Sequence, residues 1–322
     1  MTQDQLRLDD RAILITGAGR GLGRTHALLL AARGARVVVA DNGAAMDGAE
    51  ASAAPAHAVV EEIAAQGGKA VACTADIATE TGAELAVEAC LRAFGRIDGL
   101  VHNASTVPDN APIERMSSRD LDLVMRVNPL AGLWMTRAAW PHMVGRKSGR
   151  IVYMTSAGVY GSAGNAPYAA AKAAVIGMMR CLAVEGAPDG ILVNAVAPAA
   201  LTRMTERLPA SAYAEWFSRT MQPEKVSPVV AFLMSEACRT SGEMFHVGGG
   251  RIARLALAEG AGVLLPDDSV EAVRDAMPAV LADSDLFIAK DLVDRSARVA
   301  ERLGYRDGMQ GDAFTVTPLG GT

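Results

Sequence analysis

The chain has 322 residues, half of them hydrophobic, and a formal net charge of −5 at pH 7. That length suits one large α/β domain or a domain with an appendage, and the mixed, slightly acidic charge excludes nucleic acid as the main partner. The four cysteines, Cys73, Cys90, Cys181 and Cys238, have no metal-like or redox-like spacing, so they read as buried thiols of a reducing, cytoplasmic compartment and no metal is expected.

No apolar run reads as a membrane span. The polar N-terminus is no signal peptide, and the final Gly-Gly-Thr is no peroxisomal address. An apolar run over residues 12–16 predicts a first strand. It leads into Gly17-Ala-Gly-Arg-Gly-Leu-Gly23, then a helical pattern over residues 22–32 that stops at Gly34. In a strand–glycine loop–helix order, the glycines let the backbone turn and approach a pyrophosphate. The helix then offers its first amides and its dipole to the anion. Gly17, Arg20, Gly21, Leu22 and Gly23 are the cofactor candidates of this turn. Residues 35–40 predict the second strand, with Asp41 at its end. A carboxylate there bonds both ribose hydroxyls of adenosine and repels the extra phosphate of NADP. Arg20 pulls the other way; Asp41 decides for NAD.

Residues 42–55 read as a surface loop, 56–66 as a helix and 69–73 as the third strand. Asp76 and Ile77 follow, placed to meet adenine. An amphipathic helix over 79–94 precedes the fourth strand at 97–102, which runs into Asn103-Ala104. Residues 121–144 read as one long helix holding Asn128, despite Pro129. The fifth strand, 150–154, delivers Thr155 and Ser156; a helix over 168–185 and a sixth strand over 190–196 ending at Ala197-Pro198 follow. This alternation predicts a doubly wound parallel sheet of the α/β class, with the candidates at the strand C-terminal ends where ligands bind. Residues 199–221, with Thr202, Arg203, Arg207, Trp216 and Phe217, read as a mobile cover over the cleft. A helix over 226–238 and a last strand over 243–247 complete a dinucleotide-binding domain at 1–250. Residues 251–322 form a helical C-terminal extension packing on or beside it, with no second glycine motif.

The chemistry concentrates at Ser156, Tyr168 and Lys172. Tyr168 and Lys172 are four apart, so on a helix they share a face. A phenol titrates near ~10 and is a poor base at neutral pH. A nearby ammonium favours the phenolate, so Tyr168 is expected to have a lowered pKa and to exchange a proton with an alcohol or carbonyl. Ser156 would hydrogen-bond the same substrate oxygen.

Taken together, Thr16-Gly17-x-x-x-Gly21-x-Gly23, Asp41, Asp76, Asn103-Ala104, Asn128, Ser156, Tyr168-x-x-x-Lys172 and Pro198 resemble the short-chain dehydrogenases/reductases. Val-Val-Val-Ala-Asp-Asn-Gly with its long loop, Gly-Val-Tyr-Gly at 158–161, Arg203-Met-Thr-Glu and Met244-Phe-His-Val-Gly resemble a narrower group. These are the (3R)-hydroxyacyl-CoA dehydrogenase domains of the type 2 peroxisomal multifunctional enzymes. The resemblance implies a Rossmann-type fold and an acid/base role for Tyr168. It implies that Lys172 binds the nicotinamide ribose, that Ser156 holds the substrate oxygen and that Asn128 holds a water relaying protons to Lys172. Asn103, Ala104 and Pro198 would border the cofactor, and Thr202 would reach its nicotinamide amide or pyrophosphate. Arg203 or Arg207 would meet phosphates of an acyl-CoA. A homodimer through the helices beginning near 121 and 168 is also implied. The alternatives are a steroid or other cyclic secondary alcohol as substrate, and a dinucleotide-binding sensor without turnover. Three departures stand out. The family's Asn-Asn-Ala-Gly is His102-Asn-Ala-Ser105 here, with Ser105 expected to crowd a place where backbone meets cofactor. Ser156 lies twelve residues before Tyr168 where thirteen is common, which leaves Thr155 as a rival. Ala199 follows Pro198 in place of glycine.

Overall fold

A computed structural model describes residues 5–45, 51–202 and 210–304. The chain divides into two compact units, Met1–Leu255 and Ala256–Thr322.

The first unit is built on eight strands. They are β1 (Ala12–Thr16), β2 (Arg36–Ala40), β3 (Lys69–Cys73), β4 (Gly99–His102), β5 (Gly149–Met154), β6 (Ile191–Pro198), β7 (Met244–Gly248) and β8 (Arg251–Leu255), in the order β3-β2-β1-β4-β5-β6-β7-β8. All neighbouring pairs are parallel except β7 with β8. Strand order reverses beside β1, and the crevice between the ends of β1 and β4 is where such sheets take ligands. Residues 251–255, assigned to the extension in the sequence, belong to this sheet. Gly249 and Gly250, at φ +59° and +85°, turn the chain back so that β8 can pair with β7.

Two helical layers cover the sheet, and the strand period of two divides its side chains between them. Ile13, Ile15, Val37, Val39, Val152 and Met154 face one layer; Ala12, Leu14, Val38, Ile151 and Tyr153 face the other. The first layer holds α1 (Gly21–Ala32), α2 (Ala54–Ala65) and α8 (Ser227–Met234); the second holds α3 (Glu80–Phe94), α5 (Ala131–Val144) and α6 (Ala166–Gly186). Burial on both faces explains why β1 and β2 read as unbroken apolar runs rather than alternating ones. Each fully buried Leu or Ile contributes about 1.5–3 kcal/mol relative to exposure.

The long helix expected over 121–144 is α4 (Ser118–Met125) and α5, joined by a π-helical turn at Arg126–Leu130. Pro129 offers no N–H and its ring would strike the carbonyl four residues back in a regular α-helix; the wider turn relieves both. Asn128 Nδ2 instead donates to Val124 O at 2.9 Å.

α6, with its continuation to Asp189, is long and apolar enough to cross a membrane by length and composition alone. It packs along β6 and buries Lys172, Val175 and Met179 against the sheet.

Between β6 and α8 lies α7 (Ala212–Thr220), and within it Tyr213 stacks near Trp216 and Phe217. The second unit pairs β9 (Glu259–Gly260) with β10 (Leu286–Phe287). It also carries α9 (Val270–Ala282) and α10 (Leu292–Arg302), with Arg295 gripping Glu259 through two bonds of 2.7 and 2.8 Å.

Candidate active site

One cavity of about 820 Å³ runs along the C-terminal ends of the strands. That volume lies within the range of small-molecule and cofactor sites. Gly17, Arg20, Gly21, Leu22, Asp41, Asp76, Ile77, Asn103, Ala104, Ser156, Tyr168, Lys172, Pro198 and Thr202 all line it. Arg203 and Arg207 lie outside the described residues.

The glycine turn fits a pyrophosphate. Gly21, at φ +51°, has open space where a Cβ would stand, so the backbone can meet a ligand there. Gly23 does not line the cavity. A Cβ on it would sit 2.1 Å from Gly17 O, so its role is to let α1 close on the turn, not to face a cofactor. At the other wall, Asp41 is held by two amides: Gly19 N–H donates to Oδ2 at 2.8 Å and Gly43 N–H to Oδ1 at 2.7 Å. Its carboxylate is therefore fixed at the mouth of β2, where a ribose diol would approach. Arg20 is exposed beside it. Asn103 ties β4 to the turn, its Nδ2 donating to Thr16 O at 3.0 Å and Gly17 O at 3.2 Å.

α6 places Tyr168 and Lys172. Alanines dominate its first turns, Pro167 occupies the position where a missing N–H costs nothing, and Tyr168 stands in the first turn. The helix dipole there favours negative charge on the phenol. Lys172 Nζ lies 5.6 Å from the Tyr168 ring centroid and donates to Met154 O at 2.9 Å, with 2% of the residue exposed. Burial without an ion partner pushes the Lys172 ammonium down to about 7.

The lowered Tyr168 pKa expected from the sequence is not what the protein alone shows. Burial pushes the phenol above its ordinary value, and the neighbouring hydroxyls of Ser156 and Ser105 act in part against it. The ammonium is bonded to a backbone carbonyl, and its own charge is disfavoured by the same burial. With no other charge present, burial favours the neutral phenol of Tyr168 and disfavours the charged ammonium of Lys172.

Thr155 and Ser156 both line the cavity and differ in where their hydrogens go. Thr155 Oγ1 donates to Lys172 O at 2.9 Å, deep in the fold, and is committed to holding α6 against β5. Ser156 Oγ accepts from Gly158 N–H at 3.0 Å and keeps its own hydrogen for Tyr168 or a ligand.

Asn128 is fully buried and does not line the cavity. Its Nδ2 donates to Thr106 O and Val124 O, its Oδ1 accepts from Ser105 Oγ at 2.6 Å, and its backbone oxygen takes His102 Nε2 at 2.7 Å. Both amide donors are thus spent inside the fold, while each oxygen, accepting one bond, keeps a second lone pair. His102 itself is set in one tautomer. Thr16 Oγ1 accepts from Asn103 N–H and Ala104 N–H, so its hydrogen goes to His102 Nδ1 at 3.0 Å and Nε2–H points at Asn128. Burial holds this imidazole neutral, its pKa down at about 4.

Sequence reasoning passed over Asn165 and the loop Thr106, Val107, Pro108 and Asn110, all of which line the cavity. The signal was positional: loops at the C-terminal ends of such strands line the ligand site whatever their composition. Asn165 Oδ1 is buried with no partner. Of the expected cover, Ala200 and Thr202 reach the cavity.

Residues 11–212 match the family described as short chain dehydrogenase. The chain is 43% identical over 251 residues to a short-chain type dehydrogenase/reductase of Mycobacterium tuberculosis, covering 78% of this chain and 86% of that one. It is 38% identical over 295 residues to peroxisomal multifunctional enzyme type 2 of Drosophila melanogaster, covering 89% of this chain and 47% of that enzyme. The chain therefore spans about half of the fly enzyme, whose full-length structure superposes with a TM-score of 0.77 over 93% of this chain at 30% identity. A 7α-hydroxysteroid dehydrogenase complexed with NADH and 7-oxo glycochenodeoxycholic acid superposes with a TM-score of 0.69 at 30% identity, over 78% of this chain and 97% of its own.

Proposed function

The chain belongs to the short-chain dehydrogenase family, and from that membership we propose an NAD-dependent oxidoreductase that interconverts a (3R)-3-hydroxyacyl-CoA and its 3-oxoacyl-CoA. The observation that carries the reading is the opening of Ser156, Tyr168 and Lys172 onto the same cavity that Asp41 and Gly21 border.

The bound nicotinamide supplies the hydride acceptor and donor. The rest falls to this chain's own groups. Ser156 and Tyr168 hold the substrate oxygen between them. Tyr168 takes the hydroxyl proton on its Oη when the alcohol is oxidised and returns it when the ketone is reduced. Lys172 is poised by burial to take up a proton once an anion forms beside it. Thr155 anchors the Lys172 backbone so that the pair keeps its spacing. The fixed Asp41 carboxylate supports NAD over NADP, since it accepts from a ribose diol and repels a phosphate.

The acyl-CoA assignment draws on likeness beyond the cofactor motifs, since the match to the fly enzyme runs through the last strands and past β8. The site admits a single isomer in this reading, and the likeness to the (3R)-hydroxyacyl-CoA dehydrogenase domains gives it as (3R). With the oxygen between Tyr168 and Ser156 and the hydrogen toward nicotinamide, the two carbon substituents have fixed places, and the (3S) isomer would put carbon where hydride must leave. The likeness to the hydroxysteroid dehydrogenase favours the second reading, a cyclic secondary alcohol. A homodimer and a cytoplasmic location complete the proposal, to be checked by sedimentation and by cell fractionation. The deciding assay is NADH formation from both 3-hydroxyacyl-CoA isomers beside a steroid panel. The (3R) thioester should be the better substrate by a wide margin; steroid oxidation without thioester activity would replace this substrate with the second reading. Cofactor binding with no turnover of any alcohol would leave a sensor.

A further inference from the structure

Asn165 stands at the start of α6, where an asparagine ordinarily accepts a hydrogen bond from an amide of the first turn. It makes no such bond. Its backbone, at φ −122° and ψ 24°, lies outside the extended region from which a side chain folds back on its helix. The second helical position is Pro167, which has no N–H to offer. Thr79, Ser117, Ser211, Ser269 and Asp291, all extended, do cap their helices. Asn165 Oδ1 is instead buried with no partner, and the residue lines the cavity. A buried acceptor without a donor is destabilising, and no capping bond offsets it here. Local rules are broken in this way where a site needs the group. Nothing bonds the oxygen in its place, and the terminal torsion of an asparagine is soft, so a donor in the cavity can draw it out.

We propose that Asn165 is a specificity residue for the thioester arm of the substrate: its Oδ1 accepts from the secondary-amide N–H that follows the thioester. This rests on the acyl-CoA reading above. Beyond the carbinol, the acyl chain of such a substrate is hydrocarbon and carries no donor. On the other side, six bonds separate the carbinol carbon from the first amide nitrogen, about 7 Å when extended. Asn165 lies three residues before Tyr168, so their Cβ atoms are about 5–6 Å apart on one face. With the carbinol oxygen held by Ser156 and Tyr168, that N–H comes within reach of the first turn of α6. The two carbon substituents are thereby told apart, since only the thioester arm can satisfy the orphaned oxygen.

The test exchanges one group of the substrate. The (3R)-3-hydroxybutyryl thioester of N-acetylcysteamine keeps the amide, and the matching S-(2-acetoxyethyl) thioester puts an ester oxygen in place of the N–H. Wild type should favour the amide by about threefold to tenfold in kcat/KM, the size of one hydrogen bond, and the difference should lie in KM. Asn165→Ala should bring the two substrates level by weakening the amide. Asn165→Asp, which keeps an acceptor, should retain the preference. A ratio unmoved in Asn165→Ala, or lost in Asn165→Asp, would overturn the proposal. Urea unfolding of the ligand-free protein gives a readout without substrate. The midpoint of Asn165→Ala should equal or exceed that of wild type, because the variant removes an orphaned acceptor; a lower midpoint would show a structural cap and overturn the proposal. If another alcohol is oxidised and neither thioester is, the acyl-CoA reading fails and the Asn165 assignment falls with it. If both thioesters are oxidised at a ratio that Asn165→Ala does not move, the reading stands and the assignment alone fails.

Discussion

Replacing Lys172 by methionine should stabilise the protein while abolishing turnover, and the gain should depend on pH in a specified direction. The ammonium titrates near 10.5 in the unfolded chain and at about 7 in the fold, where it is fully buried without an ion partner. Below pH 7 both states are protonated, and folding carries the whole cost of burying the charge. That shift of 3.5 amounts to about 5 kcal/mol at 1.36 kcal/mol per unit. Between 7 and 10.5 the unfolded state binds the proton and the folded state does not, so stability rises with pH and the cost shrinks. At pH 9 about 2 kcal/mol remains, and above 10.5 nothing does. Methionine fills the same space with no charge, and its drawback is the Met154 carbonyl left without its 2.9 Å donor, about 1 kcal/mol. Lys172→Met should therefore gain roughly 4 kcal/mol at pH 6 and roughly 1 kcal/mol at pH 9. Urea unfolding of the cofactor-free protein at both values, wild type against variant, measures the difference. An equal gain at the two pH values, or a loss at pH 6, would refute the argument that Lys172 is buried without compensation.

Three further outcomes follow from the cavity walls. Asp41→Ala should narrow the preference for NAD over NADP by at least about tenfold in kcat/KM, since it removes a carboxylate fixed against the site of the extra phosphate. A wild-type preference for NADP would show that Arg20 dominates instead. Ser156→Ala should lower kcat by about a hundredfold as a lost donor to the reacting oxygen. Thr155→Val should cost about 1–3 kcal/mol of stability through the freed Lys172 carbonyl and leave kcat within about tenfold. Reversed effects would exchange their roles.

The sheet was legible because buried parallel strands are unbroken apolar runs separated by helical periodicity, and residues such as Ile13 and Leu14 need both layers to be covered. β8 was not legible, since Arg251 to Leu255 carries two arginines on an edge strand and lacks that signature. Part of the cavity's ring could be read because Gly17, Asp41, Asp76, Asn103, Ala104 and Ser156 each sit one to three positions past a strand end. What composition and spacing could not show is the direction of each hydrogen. Where the Thr155 hydrogen goes and whether Asn128 faces the cavity depend on partners far apart in sequence, such as Lys172 for Thr155 and Thr106 for Asn128. The Tyr168 pKa was misjudged for the same reason. The lysine is near in sequence, but burial acts on both groups, and the ammonium is turned to Met154.

The central claim is that Tyr168 carries the proton in a site built for a dinucleotide and a secondary alcohol, and Tyr168→Phe tests it most directly. Loss of the hydroxyl removes the proton carrier and leaves the glycine turn, Asp41 and Lys172 in place. NAD binding, measured by calorimetry, should stay within a few-fold of wild type, while alcohol oxidation should fall by about a hundredfold to ten-thousandfold. Substantial turnover by the phenylalanine variant, with NAD binding intact, would contradict the account.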